Sequence, residues 1–267
     1  MLFSSWFITG CGTDRLDNST KAEGENTANT ISGSLVSGNG TANSNTTSAP
    51  YNRKSRIADV MADLVFGSYG RLLFPVQRGY WSGETLEKLR LTYYNYIDSD
   101  ETVTIVNYLH NQADNGKTVF YDIYTDEEKS HDPRKADTGL FFFRGNPGAR
   151  FAVCNAGGAF AYVGAMHDSF PHAFELSKKG YNAFALIYRP GAQTACEDLA
   201  RAISFIFAHK DELGVDTDCY SLWGGSAGGR MAAWVSGYGT GGNASVWGRD
   251  FDAFLTPIMQ NNTTAIS

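Results

Sequence analysis

From residue 117 onward the chain alternates short β-rich runs with amphipathic helical stretches, and this alternation constrains the fold more than any other feature. Residues 118–124 and 139–144 are two apolar, aromatic runs separated by a charged turn containing Asp132-Pro133. Residues 151–155 form a third run. Residues 169–179 then place Phe170, Ala173, Phe174 and Leu176 at helical spacing and reach Gly180, a residue type that ends helices. Residues 183–188 read as a fourth strand, stopped by Pro190-Gly191. Thr194-Ala195-Cys196-Glu197 reads as a capping box opening a helix with Leu199, Ile203, Ile206 and Phe207 on one stripe. A fifth strand over 220–223 and a helix over 227–235 follow. Strands joined by helices of this length require right-handed crossovers, so the fold class is α/β with a mainly parallel sheet.

The part of the chain before residue 117 differs in kind. Residues 1–11 are a short apolar run ending in small residues and Cys11, and residues 12–49 are mostly Ser, Thr, Asn and Gly. A segment so poor in large apolar side chains cannot offset its conformational entropy, so 12–49 is expected to be a disordered linker. Residues 50–116 have a helical pattern: Ile57, Val60, Met61 and Leu64 recur at helix spacing, and Ser82 is placed to cap a helix through Leu86, Leu89 and Leu91. A third helix begins near Ser99, carries Val103, Val106 and Leu109, and stops at Asn115-Gly116. The expected organisation is therefore 1–11 as the end of a signal, 12–49 as linker, 50–116 as a helical cap region, 117–240 as the α/β core and 241–267 as an irregular tail.

The chemistry is concentrated where the fifth strand runs into Gly224-Gly225-Ser226-Ala227-Gly228-Gly229. Gly-x-Ser-x-Gly between a strand and a helix is the nucleophile elbow. The serine sits on a tight, strained turn that lifts its hydroxyl above the sheet, and Gly224 and Gly228 lie where a Cβ would collide with the neighbouring strand or helix. Ala227 leaves a backbone N–H free for a reacting carbonyl oxygen, and the helix that follows brings its positive end close. The third strand ends in Asn155-Ala156-Gly157-Gly158-Ala159-Phe160, whose glycines let the main chain approach a ligand closely.

These two motifs, with Tyr188-Arg189-Pro190 after the fourth strand, resemble the α/β-hydrolase superfamily. The likeness is to its esterase and lipase branch, that of hormone-sensitive-lipase-like and bacterial acetylxylan-esterase-like enzymes. Asn155-Ala156 stand where His-Gly is commoner in that branch. The resemblance covers roughly residues 118–240 and implies an α/β-hydrolase fold with no cofactor. The activity it implies is acyl transfer from a small-molecule or glycan ester: Ser226 as nucleophile, with Ala227 and Gly157 or Gly158 supplying the oxyanion hole. Ile8-Thr9-Gly10-Cys11 likewise resembles a bacterial lipobox. It implies acylation of Cys11, a cell-envelope location and membrane contact only through that anchor.

The same resemblance requires an acid and a histidine after the serine. All five histidines (His110, His131, His167, His172 and His209) precede Ser226, and only 267 − 226 = 41 residues follow it. The expectation is a hydrolase chain cut short after its elbow. The alternative is a non-catalytic lipoprotein that uses a hydrolase scaffold for binding. A serine peptidase on this fold is disfavoured because no propeller-sized domain precedes the sheet. Met166-His167-Asp168 raises the question of an earlier base, but Asp168 and His172, four apart, read as a local surface pair and His167 as a loop residue.

Other classes are excluded more simply. With 22 basic and 28 acidic side chains the net charge is −6, which does not suit a nucleic-acid phosphate backbone. There is no Gly-Lys-Ser/Thr for a P-loop, and Gly237-Tyr238-Gly239-Thr240-Gly241-Gly242 follows a helix rather than a strand, so it is no dinucleotide fingerprint. No run is long and apolar enough to cross a bilayer, and no His/Cys/Asp/Glu spacing reads as a metal site. Four cysteines are too few for a disulfide scaffold, and Cys154, Cys196 and Cys219 read as structural residues.

Overall fold

The computed structural model describes residues 50–75, 80–91 and 97–236 together with the main chain of 6–11. The expected linker, the aromatics Tyr93, Tyr94 and Tyr96, the glycine run at 237–242 and the tail with Asp250 and Asp252 lie outside the described residues. In chain order the regular elements are β1 (Trp6–Cys11), α1 (Ile57–Met61), β2 (Trp81–Ser82), β3 (Arg90–Leu91), α2 (Ser99–Asp114), β4 (Phe120–Tyr121) and α3 (Asp126–His131). They continue with β5 (Gly139–Phe143), β6 (Arg150–Asn155), α4 (Ser169–Lys178), β7 (Asn182–Ile187), α5 (Ala192–Ala208), α6 (Lys210–Leu213), β8 (Asp216–Gly224) and α7 (Ala227–Val235).

One six-stranded sheet has the order β1-β8-β6-β7-β5-β4. The central β8, β6 and β7 run parallel, while β5 joins β7, β4 joins β5 and β1 joins β8 antiparallel. The order has a direct consequence for the site. The chain leaves β6 toward β7 on one side, and returns past β6 to place β8 on the other. Right-handed crossovers in opposite directions put their helices on opposite faces, and they open a crevice between β6 and β8 at the carboxyl ends of those strands. In that crevice Asn155, the last residue of β6, is paired with Gly224, the last of β8. Two glycine-rich segments about 70 residues apart in sequence thus become neighbours by topology alone.

Burial follows from the double covering. Every residue of β5 and β7 is buried, as is all of β6 after Arg150, the pattern of strands packed on both faces. Consecutive phenylalanines in β5 point to alternate faces. Phe141 and Phe143 meet Phe170 of α4, and Phe143 also stacks on Tyr108 of α2, whereas Phe142 stacks on Phe184 on the other face. Helices α2 and α4 pack together, and so do α5 and α7.

Several local expectations are corrected. No α-helix forms over 82–91: Gly83 adopts φ +104°, and a single 3-10 turn at Leu86–Lys88 connects β2 to β3 and buries Leu86, with Leu89 and Leu91 buried after it. The apolar spacing reported burial there and not helix. The α2 stripe is Thr102, Ile105, Val106 and Leu109, with the Asp98 carboxylate capping the N–H groups of Asp100 and Glu101. The strand expected over 118–124 pairs only at Phe120 and Tyr121. Helix α5 starts earlier than the capping box implied, because Gly191 at φ +111° makes the turn and Thr194 Oγ1 donates back to the Pro190 carbonyl. Phe207, placed on the buried stripe by sequence, is exposed at the end of that helix.

A buried ionic cluster ties the sheet to α5. The Arg189 guanidinium grips the Asp198 carboxylate with two N–H groups, and the Arg189 main-chain N–H donates to the same carboxylate at 2.7 Å. Tyr124 Oη donates to Asp198 at 2.6 Å, and Asp132 accepts a further guanidinium N–H at 2.8 Å. Glu197 lies 3.4 Å from the guanidinium as well, and with Arg189 and Asp198 5% and 0% exposed these protein partners stand in for water. The neighbouring residue, Tyr188, is thereby fixed at the carboxyl end of β7.

Candidate active site

Ser226 is exposed and stands at the N-cap of α7 with φ +50° and ψ −117°, a region that a residue with a side chain enters only when its surroundings enforce it. The enforcement is visible at the flanking glycines. A Cβ on Gly224 would lie 2.6 Å from the Gly228 oxygen and from the Gly229 nitrogen. One on Gly228 would lie 2.6 Å from the Asn155 carbonyl carbon and 2.8 Å from the Ala156 oxygen. The turn is therefore pressed directly against the end of β6, and both glycines are required by close approach. The elbow expected from sequence is formed, with its hydroxyl at the surface of the crevice.

The opposing loop is held peptide by peptide. Asn155 Nδ2 donates to the Trp223 carbonyl at 2.9 Å, bridging β6 and β8 just below the elbow. The peptide between Ala156 and Gly157 is gripped at both ends: Tyr188 Oη donates to the Ala156 oxygen at 2.6 Å, and the Gly157 N–H donates to Asp168 Oδ2 at 2.6 Å. The next peptide is held at one end only, where the Gly164 N–H donates to the Gly157 oxygen at 3.0 Å. In a trans peptide the N–H points opposite to the carbonyl. The Gly158 N–H is thus directed away from Gly164, and no partner claims it among the described residues. Beyond it, Ala159 and Phe160 take φ +55° and +58°, a tight reversal closed by the N–H groups of Ala161 and Tyr162 on the Gly158 oxygen.

Of the two glycines expected from sequence to offer an oxyanion donor, Gly157 has its N–H committed to Asp168, which leaves Gly158. Ala227 is the first residue of α7, so its N–H belongs to the helix turn that has no intrahelical acceptor. Gly158 and Ala227 therefore each carry an N–H with no partner among the described residues, the second at the positive end of α7.

Four of the histidines have described contacts of their own. His110 lies 3.6 Å from Asp63 and edge-on to Tyr51 and Phe66, and His209 stacks on Phe205. His167 packs its ring against Gly164 with both ring nitrogens shielded from solvent, and burial pushes its pKa down to about 4. His172 Nδ1 lies 3.3 Å from Asp168 Oδ1, and its pKa is raised by that hydrogen bond. The Asp168–His172 pair expected from sequence is present, but Asp168 is 8% exposed and so is no surface residue. Among the described residues none hydrogen-bonds to Ser226 Oγ, no cluster of His, Cys, Asp or Glu can hold a metal ion, and no helix is long and apolar enough to cross a membrane.

Sequence reasoning missed Asp168 and Tyr188 as holders of the glycine loop. An Asp before a helix reads as an ordinary cap, and only the fold reveals that its carboxylate turns elsewhere. Cys154 is buried and free and Cys196 is half-buried and free. Cys219 is disulfide-bonded, and Cys11 stands opposite it in the β1–β8 register.

Residues 147–262 match the family model BD-FAE, an α/β-hydrolase-type esterase family. The α/β-hydrolase recognition drawn from the elbow and the glycine loop holds over this stretch, which contains both. Among solved structures the chain is similar to esterase 2 (Est2) of the Planctomycetes species Thermogutta terrifontis. The native form is 23% identical, with 43% of this chain and 42% of that one covered and a TM-score of 0.35. The apo form is 24% identical over 43% and 44%, and the propionate-bound form 23% identical over 43% and 44%, each with a TM-score of 0.35. The chain thus spans less than half the length of those esterases. No curated protein matches it.

Proposed function

We propose that this chain carries the nucleophile of a serine carboxylic-ester hydrolase that works through an acyl-enzyme. The observation that supports this most directly is the strained, exposed Ser226 at the start of α7, within a segment that matches an esterase family. Ser226 Oγ attacks the ester carbonyl carbon and gives up its proton to a base. The carbonyl oxygen becomes an anion received by the N–H groups of Gly158 and Ala227, and the alcohol leaves with a proton. Water then cleaves the acyl group from Ser226 by the same route. A single donor of this kind is typically worth about 3–4 kcal/mol in the transition state. Small-molecule or glycan esters are the proposed substrates, with no cofactor, and a lipid anchor on Cys11 is the proposed attachment to a bacterial envelope.

A second reading is favoured by one observation, that no histidine is hydrogen-bonded to Ser226: the scaffold binds an ester or glycan without turning it over. One experiment separates the two. A fluorophosphonate probe bonds covalently only to an activated serine, so the hydrolase reading expects labelling that disappears in Ser226→Ala. An unlabelled, folded chain supports the binding reading.

A further inference from the structure

We propose that Asp168 is the positioning residue of the oxyanion loop, its carboxylate holding the Gly157 N–H so that the next amide, Gly158, is the one presented to the reacting oxygen. The inference rests on the acyl-transfer reading of Ser226 and assigns the part of that site that sequence left open.

Asp168 is the N-cap residue of α4, where an Asp side chain ordinarily accepts the N–H of the second or third helical residue. Here it makes no such bond. The third position is Pro171, which has no N–H to give, and the carboxylate reaches back 11 residues to the Gly157 N–H. A buried carboxylate placed away from its local donors needs another source of stabilisation. Two contacts supply that: Oδ2 accepts the Gly157 N–H at 2.6 Å and Oδ1 faces His172 Nδ1 at 3.3 Å; Oδ2 also lies close to Gly225, where an added Cβ would come within 3.3 Å of it. The last contact matters for placement. The same oxygen that holds the glycine loop lies against the residue before the nucleophile, so one side chain sets the separation between Ser226 and its opposing amides. Tyr188 fixes the far end of the same peptide, and the peptide plane has no freedom left to turn Gly157 rather than Gly158 toward substrate.

The charge of Asp168 is a cost near a developing oxyanion, and His172 offsets it from the solvent side. Glu101 of the neighbouring α2 acts on His172, itself influenced by Asp98, Glu175 and Lys178, and Asp168 also acts on the adjacent His167. What the loop requires of residue 168 is an acceptor oxygen, not a negative charge, and that distinction makes the role testable.

Fluorophosphonate labelling rates of Ser226 and the amide exchange of Gly157 are to be measured for wild type, Asp168→Ala, Asp168→Asn and His172→Gln, each at a temperature below its melting transition. In wild type the Gly157 amide should exchange at least about a hundredfold more slowly than an open amide. Asp168→Ala should release that amide and lower the labelling rate about tenfold to a hundredfold. Asp168→Asn keeps an acceptor oxygen and should retain the protection and labelling within about threefold, and His172→Gln should do the same. The Asn rescue is what a merely structural role would not produce. Equal labelling rates in the Ala variant and wild type, or a Gly157 amide that is open in wild type, would overturn the proposal even if Asp168→Ala fails to fold. A wild type that is folded but unlabelled overturns the acyl-transfer reading instead, while the exchange measurement still decides whether Asp168 holds the loop.

Discussion

Gly228 and Asn155 touch through main-chain atoms, so that a Cβ on the first would lie 2.6 Å from the carbonyl carbon of the second. This contact joins the nucleophile turn to the end of β6.

Gly228→Ala should therefore separate the elbow from the oxyanion loop. Overpacking of this kind costs about 1–3 kcal/mol, more where the obstacle is backbone that cannot turn aside. Chemical denaturation should report that loss, and labelling of Ser226 should fall by a larger factor than stability alone explains. A variant as stable and as reactive as wild type would show that the contact is not maintained.

The strain at Ser226 predicts an asymmetry between two substitutions. Ser226→Gly and Ser226→Ala both remove the hydroxyl, but only glycine relieves φ +50°, ψ −117°. The glycine variant should be the more stable by about 1 kcal/mol, read as a higher melting temperature. An alanine variant equal to or better than glycine would contradict a strained nucleophile.

A third prediction concerns acid. Burial holds the pKa of His167 at about 4, below the ordinary 6.5. Above 6.5 neither state binds the proton, and between 6.5 and 4 the unfolded chain binds it while the folded one does not, so stability falls as pH is lowered through that window. The loss is on the order of 3 kcal/mol at its lower end. His172 works the other way, because its raised pKa adds stability at low pH that is lost as the pH rises. The comparison to make is therefore between wild type and His167→Gln across pH 7.5 to 4.5, and the variant should show the shallower decline. Parallel curves would remove His167 from the account.

The buried cluster around Arg189 predicts a large penalty for half-measures. Asp198→Ala leaves a guanidinium with one of its principal partners gone at 5% exposure, which typically costs about 3–5 kcal/mol. Replacing the pair together, as Arg189→Met with Asp198→Leu, should recover more than half of that in denaturation experiments. A double variant as weak as the single one would mean that the cluster's hydrogen bonds to Tyr124 and Asp132 matter more than charge.

Cys11 can use its sulfur once. A lipid thioether, as the Ile8-Thr9-Gly10-Cys11 motif implies, leaves that sulfur unavailable for any disulfide. The anchor reading expects the mature protein to partition into detergent with an acylated N-terminal cysteine, and Cys11→Ala to abolish both. A non-reducing peptide map that joins residues 11 and 219 would overturn it.

The legible parts of the sequence were those in which local chemistry and fold agree. The bounds of α7 were read correctly from sequence, and those of β5, β6, β7 and α4 were read to within a residue, because each is a short apolar run closed by Gly or Pro. The elbow was legible because its glycines are required by contacts that any fold of this class must make. The 82–91 segment was not, since Leu86, Leu89 and Leu91 are buried by a turn hinged on Gly83 rather than along a helix. The choice between Gly157 and Gly158 was also out of reach. It depends on Asp168 and Tyr188, which come to the same peptide from 11 and 32 residues away, and nothing in their spacing announces the meeting.

Helix α4 begins without a side-chain cap, and its ten residues are too few to persist as a helix in water by themselves. Phe170, Ala173 and Leu176 stabilise it only once they are covered by the sheet, while the residue at its start is occupied with a distant amide. The coil-to-helix transition of 169–178 and the closure of 156–164 are therefore expected to be one cooperative event. A protease that cuts between them should find its target only in molecules that have lost both, so nicking in this stretch measures the opening of the whole unit rather than the fraying of one loop.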